Sequence, residues 1–251
     1  MTSQSELAPP TGDLSLLGRL ITASNATFLA ADAAGRRFVY KPVAGEAPLW
    51  DFPTGTLSRR EVAAYRLSEA SGFGVVPPTF WVDGPLGQGS AQVWVDDDGA
   101  HLIDLVSADD ARAGWFAIVA GLDEHDREVV LMHADDPRLR RLALFDVLAN
   151  NSDRKAGHVL VHGERLFGVD HGVCFAVDDK LRTVIWGWSG QPLTDDELAL
   201  VARVGDSAPD ALSDLSDDEV AATQRRARNV LRSAKFPNPS KNWPVIPWPP
   251  F

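Results

Sequence analysis

"NNSDRKAGHVLVHGERLFGVDHGVCF", Asn150 to Phe175, sets an Asp-Arg-Lys, a His and an Asp-His-Gly around two short apolar runs. The stretch before it, "DDPRLRRLALFDVLAN", predicts a helix. Asp136 is placed to cap it, Pro137 suits its first position, and Leu139, Leu142, Phe145 and Leu148 recur at helical spacing. "HVLVHGERLFGVD" then predicts two strands about a His-Gly-Glu-Arg turn. Asp153 therefore starts a loop at a helix end, His158 begins a strand and Asp170 ends its partner. A tight hairpin brings His158 and Asp170 to the same end of a two-stranded ribbon, beside the loop that carries Asp153.

Phosphoryl transfer needs such a convergence. One carboxylate positions or deprotonates the attacking hydroxyl, and two further ligands hold Mg²⁺ or Mn²⁺ across the nucleotide phosphates. Gly172 lets the backbone turn away sharply after the metal ligand. The same residues also suit an ordinary domain, as turn aspartates and a core histidine. Cys174 reads as a small buried hydrophobe, and Arg154 as a residue that holds the loop by pairing with a carboxylate.

Upstream, "LGRLITASNATFLAADAAGRRFVYKPV" predicts three short strands, with Val39 and Lys41 on one face of the third and Phe38 and Tyr40 on the other. "LSRREVAAYRLSEASGFG" predicts a helix capped by Ser58 and stopped near Gly72. Ser58-x-x-Glu61 also reads as a capping box. "VVPPTFWVDGPLGQGSAQVWVDDDG" predicts two more strands, and "DDARAGWFAIVAGLDE" suggests a helix. "TDDELALVARVG" and "SDDEVAATQRRARNVLRSAKF" are helices, each opening with a Thr/Ser-x-x-Glu box. "PNPSKNWPVIPWPPF" is too rich in proline for helix or central strand and suggests an extended arm packed on the domain. The predicted organisation is a β-rich N-lobe over 1–95, a helical C-lobe over 96–235 and a Pro/Trp-rich arm over 236–251.

The net charge of −11 argues against broad binding to nucleic acid or an anionic membrane. A single cysteine excludes an intrachain disulfide framework and any multi-cysteine metal site. No apolar run approaches the ~18 residues of a membrane span. The opening "MTSQSELAPPTGD" lacks the basic and apolar regions of a signal peptide, so a cytoplasmic location is expected, without integral membrane association.

"LFDVLANNSDRKAGHVLV" followed by "LFGVDHG" resembles the catalytic and metal-binding loops of the phosphatidylinositol 3/4-kinase-like family: Asp-Arg-His-x-x-Asn, an apolar strand, then Asp-x-Gly. The chain is similar to the bacterial branch of these atypical kinases and more distantly to HipA-type kinases, from about Gly18 to about Leu231. The resemblance implies an α+β, two-lobed, atypical protein-kinase-like fold. Its N-lobe is β-rich with one main helix, and its mostly helical C-lobe carries a catalytic β-hairpin. It implies that ATP and a divalent cation bind between the lobes. By position, Asp153 matches the catalytic aspartate, Asp170 the metal-binding aspartate and Gly172 the closing glycine. Lys155 stands where the family has His, and is placed to neutralise phosphate charge. His158 stands where the family has its metal-ligating Asn; imidazole suits Mn²⁺ or Zn²⁺ better than Mg²⁺. Lys41 matches the phosphate-binding lysine and Glu61 the acid that orients it. Ser24 and Asn25 lie in the turn expected over the phosphates, and Val93 and Trp94 in the segment that lines the adenine pocket. The implied activity is an ATP-dependent transfer to a protein or small-molecule hydroxyl. A nucleotide-binding pseudokinase and an AMP transferase on the same scaffold are the alternatives.

Overall fold

Alternating burial along the third strand organises the first sheet of the computed structural model, which describes residues 8–20, 25–110 and 112–251. Strands β1 (Ser15–Arg19), β2 (Phe28–Ala31) and β3 (Arg37–Pro42) run antiparallel. Helix α1 (Leu57–Ala70) follows, then β4 (Thr79–Gly84) and β5 (Gly87–Val93). The order is β1-β2-β3-β5-β4. Phe38 and Tyr40 on one face of β3 pack with Leu14, Ala30 and Ala91 into a small core of their own. Val39 and Lys41 point to the other face, toward a cleft. Gly89 is required where β5 crosses β3: a Cβ there would lie 2.2 Å from the Lys41 carbonyl oxygen.

Ser58 does not cap α1. Thr56 is the N-cap residue and its side chain makes no cap hydrogen bond. The Glu46 carboxylate arrives from the preceding loop instead, accepting from Leu57 N (3.0 Å) and Ser58 N (2.8 Å). An anion at a helix N-terminus satisfies the free amides and meets the positive end of the dipole. At the other end Gly72, at φ +78°, provides the stop.

The segment expected as a helix around Trp115 is a strand. β6 (Ile103–Ser107), β7 (Trp115–Leu122) and β8 (Glu128–Ala134) form a three-stranded antiparallel sheet of order β6-β8-β7. "WFAIVAGL" is a continuous apolar run, which periodicity cannot assign, and pairing with β8 decides it.

Helix α2 (Pro137–Ala149) follows the sequence rules: Asp136 caps it, accepting from Arg138 N and Leu139 N, with Pro137 at its start. Every residue from Leu142 to Ser152 is buried. A helical segment buried on all sides is a central one, and this half of α2 delivers its C-terminus toward the cleft through Asn150, at φ 53°. The hairpin β9 (Val159–His162) and β10 (Arg165–Gly168) comes next. Helices α3 (Asp195–Ala211) and α4 (Asp217–Ser233) both carry the expected capping boxes, Thr194/Glu197 and Ser216/Glu219. Beyond Phe236 the chain runs extended along this helical body. Val245 O accepts from Thr183 N (2.9 Å) and Pro250 O from Ala156 N (2.9 Å), and Trp243 Nε1 donates to Lys180 O (3.1 Å). The chain is thus sheet-rich in its N-terminal part and helical in its C-terminal part. No helix among the described residues is long and apolar enough to cross a membrane.

His133 joins β8 to the loop before α3. Its Nδ1–H donates to Ala134 O (2.9 Å), which leaves Nε2 to accept from Gly187 N (2.9 Å). The ring is fully buried against Trp188 and Phe116, and burial pulls its pKa down to about 4. Between that value and about 6.5 the unfolded chain binds a proton that the folded chain excludes. The stability this neutral histidine contributes is complete above pH 6.5 and falls as pH drops toward 4. The expected loss is about 3 kcal/mol by pH 4. Urea unfolding of wild type and His133→Gln at pH 7 and pH 4.5 checks it: the variant's acid slope should be shallower by up to one proton.

Candidate active site

A buried ion pair shapes the loop that leaves α2. Arg154 and Asp146 are both fully buried, with Arg154 Nε 2.8 Å from Asp146 Oδ2 and Nη2 3.0 Å from Oδ1. The same guanidinium donates to Val169 O (2.6 Å) and His158 O (3.2 Å), and to His171 Nε2 (2.8 Å). Asn151 extends the framework, donating to Asp146 Oδ1 (3.1 Å) and accepting from Asp153 N (2.9 Å). Gly168 is needed here, since a Cβ would meet Leu142 Cδ1 at 2.6 Å and Arg154 Nη2 at 2.9 Å. Because arginine only donates, His171 Nε2 accepts and the ring's hydrogen sits on Nδ1. That Nδ1 is buried without a hydrogen-bond partner, and the ring packs edge-on to Phe145.

Six of the expected residues meet in front of this framework. Lys41 Nζ is ion-paired with Glu61 Oε1 and lies 2.8 Å from Asp170 Oδ1. Glu61 Oε2 accepts from His171 N (2.9 Å), so the helix acid holds both the lysine and the turn that carries Asp170. Lys41 holds the Asp170 carboxyl far below the usual carboxylate range, and neighbouring Asp170 and Glu61 outweigh burial to raise Lys41. His158 Nε2 faces Asp170 Oδ2 at 3.4 Å, while its Nδ1 is 3.1 Å from Asp153 O. A carbonyl can only accept, so the hydrogen is on Nδ1 and the Nε2 lone pair points at Asp170. Burial drives His158 down to about 4, so the ring is neutral at pH 7. A lone pair and a carboxylate oxygen facing each other leave room for a cation. Asp153 is raised by burial, against the pull of Lys155, whose Nζ lies 3.4 Å from Asp153 Oδ2.

These residues line a cleft of ≈ 600 Å³, within the range of small-ligand sites. Asn25, Val93 and Trp94 line it too. Asn25 spends its Oδ1 on Ala47 N (2.8 Å), tying two loops together. Trp94 donates to Asp96 Oδ1 (3.0 Å) under the Arg37 guanidinium. Ser24 lies outside the described residues. The special backbone of the turn is at Asp170, at φ 59°, and not at Gly172, which keeps an ordinary φ and packs on Glu61 and Leu57. Among the described residues no group of three or more His, Cys, Asp or Glu side chains can hold a metal alone. His158 and Asp170 alone could offer a cation two points of attachment, and a bound ligand would have to supply the others. Glu46, Asp146 and Asn151 went unassigned in sequence. Only Asp146 carried a signal there, as a lone carboxylate in an apolar helix.

Protein Rv2133c of Mycobacterium tuberculosis (strain ATCC 25618 / H37Rv) is 46% identical over 260 residues, covering 96% of this chain and 93% of the relative. The chain belongs to the family of Protein Rv2133c. No protein-family model matches, so the likeness to phosphatidylinositol 3/4-kinases stays a likeness of two loops. Among solved structures, the Golgi casein kinase is similar with a TM-score of 0.52 at 13% identity, over 92% of this chain and 78% of that one. The Golgi casein kinase with Mn/ADP bound gives 0.51 at 13% identity over the same shares. At such identity the likeness establishes the fold alone, and that fold is kinase-like.

Removing one partner of the buried pair should be costly. Arg154→Met leaves Asp146 as an uncompensated buried charge, and the expected loss is about 3–5 kcal/mol in urea unfolding. Adding Asp146→Asn removes that charge and should recover part of it.

Proposed function

We propose that the cleft binds ATP with a divalent cation and transfers the γ-phosphoryl group to a hydroxyl of a protein or small molecule. The observation that carries this is the convergence of Lys41, Asp170, His158 and Asp153 on one cleft of a kinase-like fold. With His158 neutral, the carboxylates of Glu61, Asp153 and Asp170 outnumber the ammoniums of Lys41 and Lys155 that line the cleft with them, an excess that favours a cation. His158 Nε2 and Asp170 are the residues that would hold it. When bound, the cation neutralises phosphate charge as the bond to the leaving oxygen breaks. Lys41 shifts from Asp170 to the phosphates while Glu61 keeps it oriented. Asp153 takes the hydroxyl proton as the acceptor oxygen bonds to phosphorus. Its carboxyl, raised by burial, suits a base that must also release that proton. Lys155 stands beside it as a point charge for the transferring group. Val93 and Trp94 border the base. The solved kinase with Mn/ADP bound supports the nucleotide and the ion, and the two loops support a phosphatidylinositol 3/4-kinase-like descent. The net charge of −11 disfavours an anionic lipid headgroup as acceptor.

ATP should raise the melting temperature only when Mg²⁺ or Mn²⁺ is present. At ligand 100-fold over its dissociation constant the gain is about 2.7 kcal/mol. No shift with either metal would remove the phosphotransfer reading. Asp170→Asn should abolish the metal-dependent shift, whereas Asp153→Asn should keep it and lose transfer; equal loss of the shift in both would overturn this assignment of roles. Label from the α-phosphate on the acceptor would mark AMP transfer instead.

His158 predicts a metal preference. A neutral imidazole nitrogen suits Mn²⁺ better than Mg²⁺, so titration with both ions should favour Mn²⁺, and His158→Asn should move the ratio toward Mg²⁺. An unchanged ratio would retire the ligand role.

A further inference from the structure

Helix α1 carries Glu61 to the cleft. It touches the five-stranded sheet, where Tyr65 meets the Phe80 ring and Ser58 Oγ donates to Lys41 O (3.0 Å), but most of its buried apolar side chains face the helical body. Ala63, Ala64 and Leu67 belong to the large core that also holds Leu142 of α2 and Val201 of α3. Polar ties run the same way. Arg66 Nη1 lies 2.7 Å from Asp214 Oδ2, Arg203 Nε donates to Ser71 O (2.8 Å), and Gly168 N donates to Val75 O (2.7 Å). Arg60 is the fully buried member of this set, 1% exposed. Its Nη2 is ion-paired with Glu219 Oε1 at the start of α4, and its Nη1 donates to Cys174 O (2.8 Å), four residues past Asp170. Phe52 lies under the guanidinium, 4.8 Å away. The grip is on a rigid point. The other Glu219 oxygen closes the α4 capping box, accepting from Ser216 N (2.9 Å). The neighbouring residue, Glu61, then divides its two oxygens between Lys41 and His171 N.

We propose that Arg60 is a positioning residue: by anchoring α1 to α4 and to the segment after Asp170, it fixes Glu61, and through Glu61 the Lys41 ammonium, before any ligand arrives. The helix acid is then preassembled for the lysine that β3 brings to it. The proposal takes its functional meaning from the phosphate-binding role given to Lys41, and its test does not depend on that role.

Competitive amine labelling of the ligand-free chain, read by mass spectrometry with exposed Lys241 as reference, reports how tightly Lys41 is paired. Arg60→Met should raise Lys41 labelling about tenfold, one pKa unit of freed amine, toward the level of Glu61→Gln. Arg60→Lys, which keeps a cation, should fall between. In the Glu61→Gln background Arg60→Met should add nothing to labelling while still lowering the melting temperature. Lower melting temperature with Lys41 labelling unchanged, or labelling gains that add in the double variant, would overturn the proposal and leave Arg60 a stabilising ion pair. If Arg60→Met does not fold, Glu219→Gln replaces it, with a smaller rise expected and the same overturning result. A protected Lys41 in a chain that binds no ATP would remove the phosphotransfer reading and leave the anchor standing.

Discussion

The Arg154–Asp146 pair is the constraint on which the site rests. From Leu142 to Ala149 α2 is buried on every side, and a lone carboxylate in such a segment is tolerable only with a matched cation. Arginine supplies what lysine cannot, a planar fork that meets both carboxylate oxygens and still reaches Val169, His158 and His171. A buried pair contributes little energy beyond an apolar replacement. What it contributes here is geometry, because one side chain sets the end of α2, the Asp153 loop and the Asp170 turn relative to one another.

In front of that framework the charges alternate, from Glu61 to Lys41 to Asp170, with neutral His158 at the end. The two ends of the row are held by a second contact outside it: Glu61 by His171 N, His158 by Asp153 O. Asp170 sits in left-handed backbone, a conformation aspartate tolerates better than most residues and one that aims its carboxylate into the cleft.

Local rules made α2, the hairpin and the two capping boxes legible, because each is decided within a few residues. The placement of Lys41, Asp153, His158 and Asp170 followed from loop order. Features decided by distant partners were not legible. β7 is a strand because β8 pairs with it. α1 is capped by Glu46, 11 residues upstream of Leu57, which frees Glu61 from the box that Ser58 suggested. The role of Arg154 as a loop holder was visible, but Asp146 as its partner needed the fold.

The two larger apolar clusters are unequal. Among the described residues the sheet's own cluster has Leu14, Ala30, Phe38, Tyr40 and Ala91 buried, with Phe28, Phe80, Val82 and Val93 packed against them, while α1 to α4 share a core many times larger. Local opening follows buried apolar contact, so the sheet is expected to open before the helices do. The cleft lies on the seam between the two units. A molecule bound there grips both, and it lends the weaker unit part of the stronger one's resistance to unfolding.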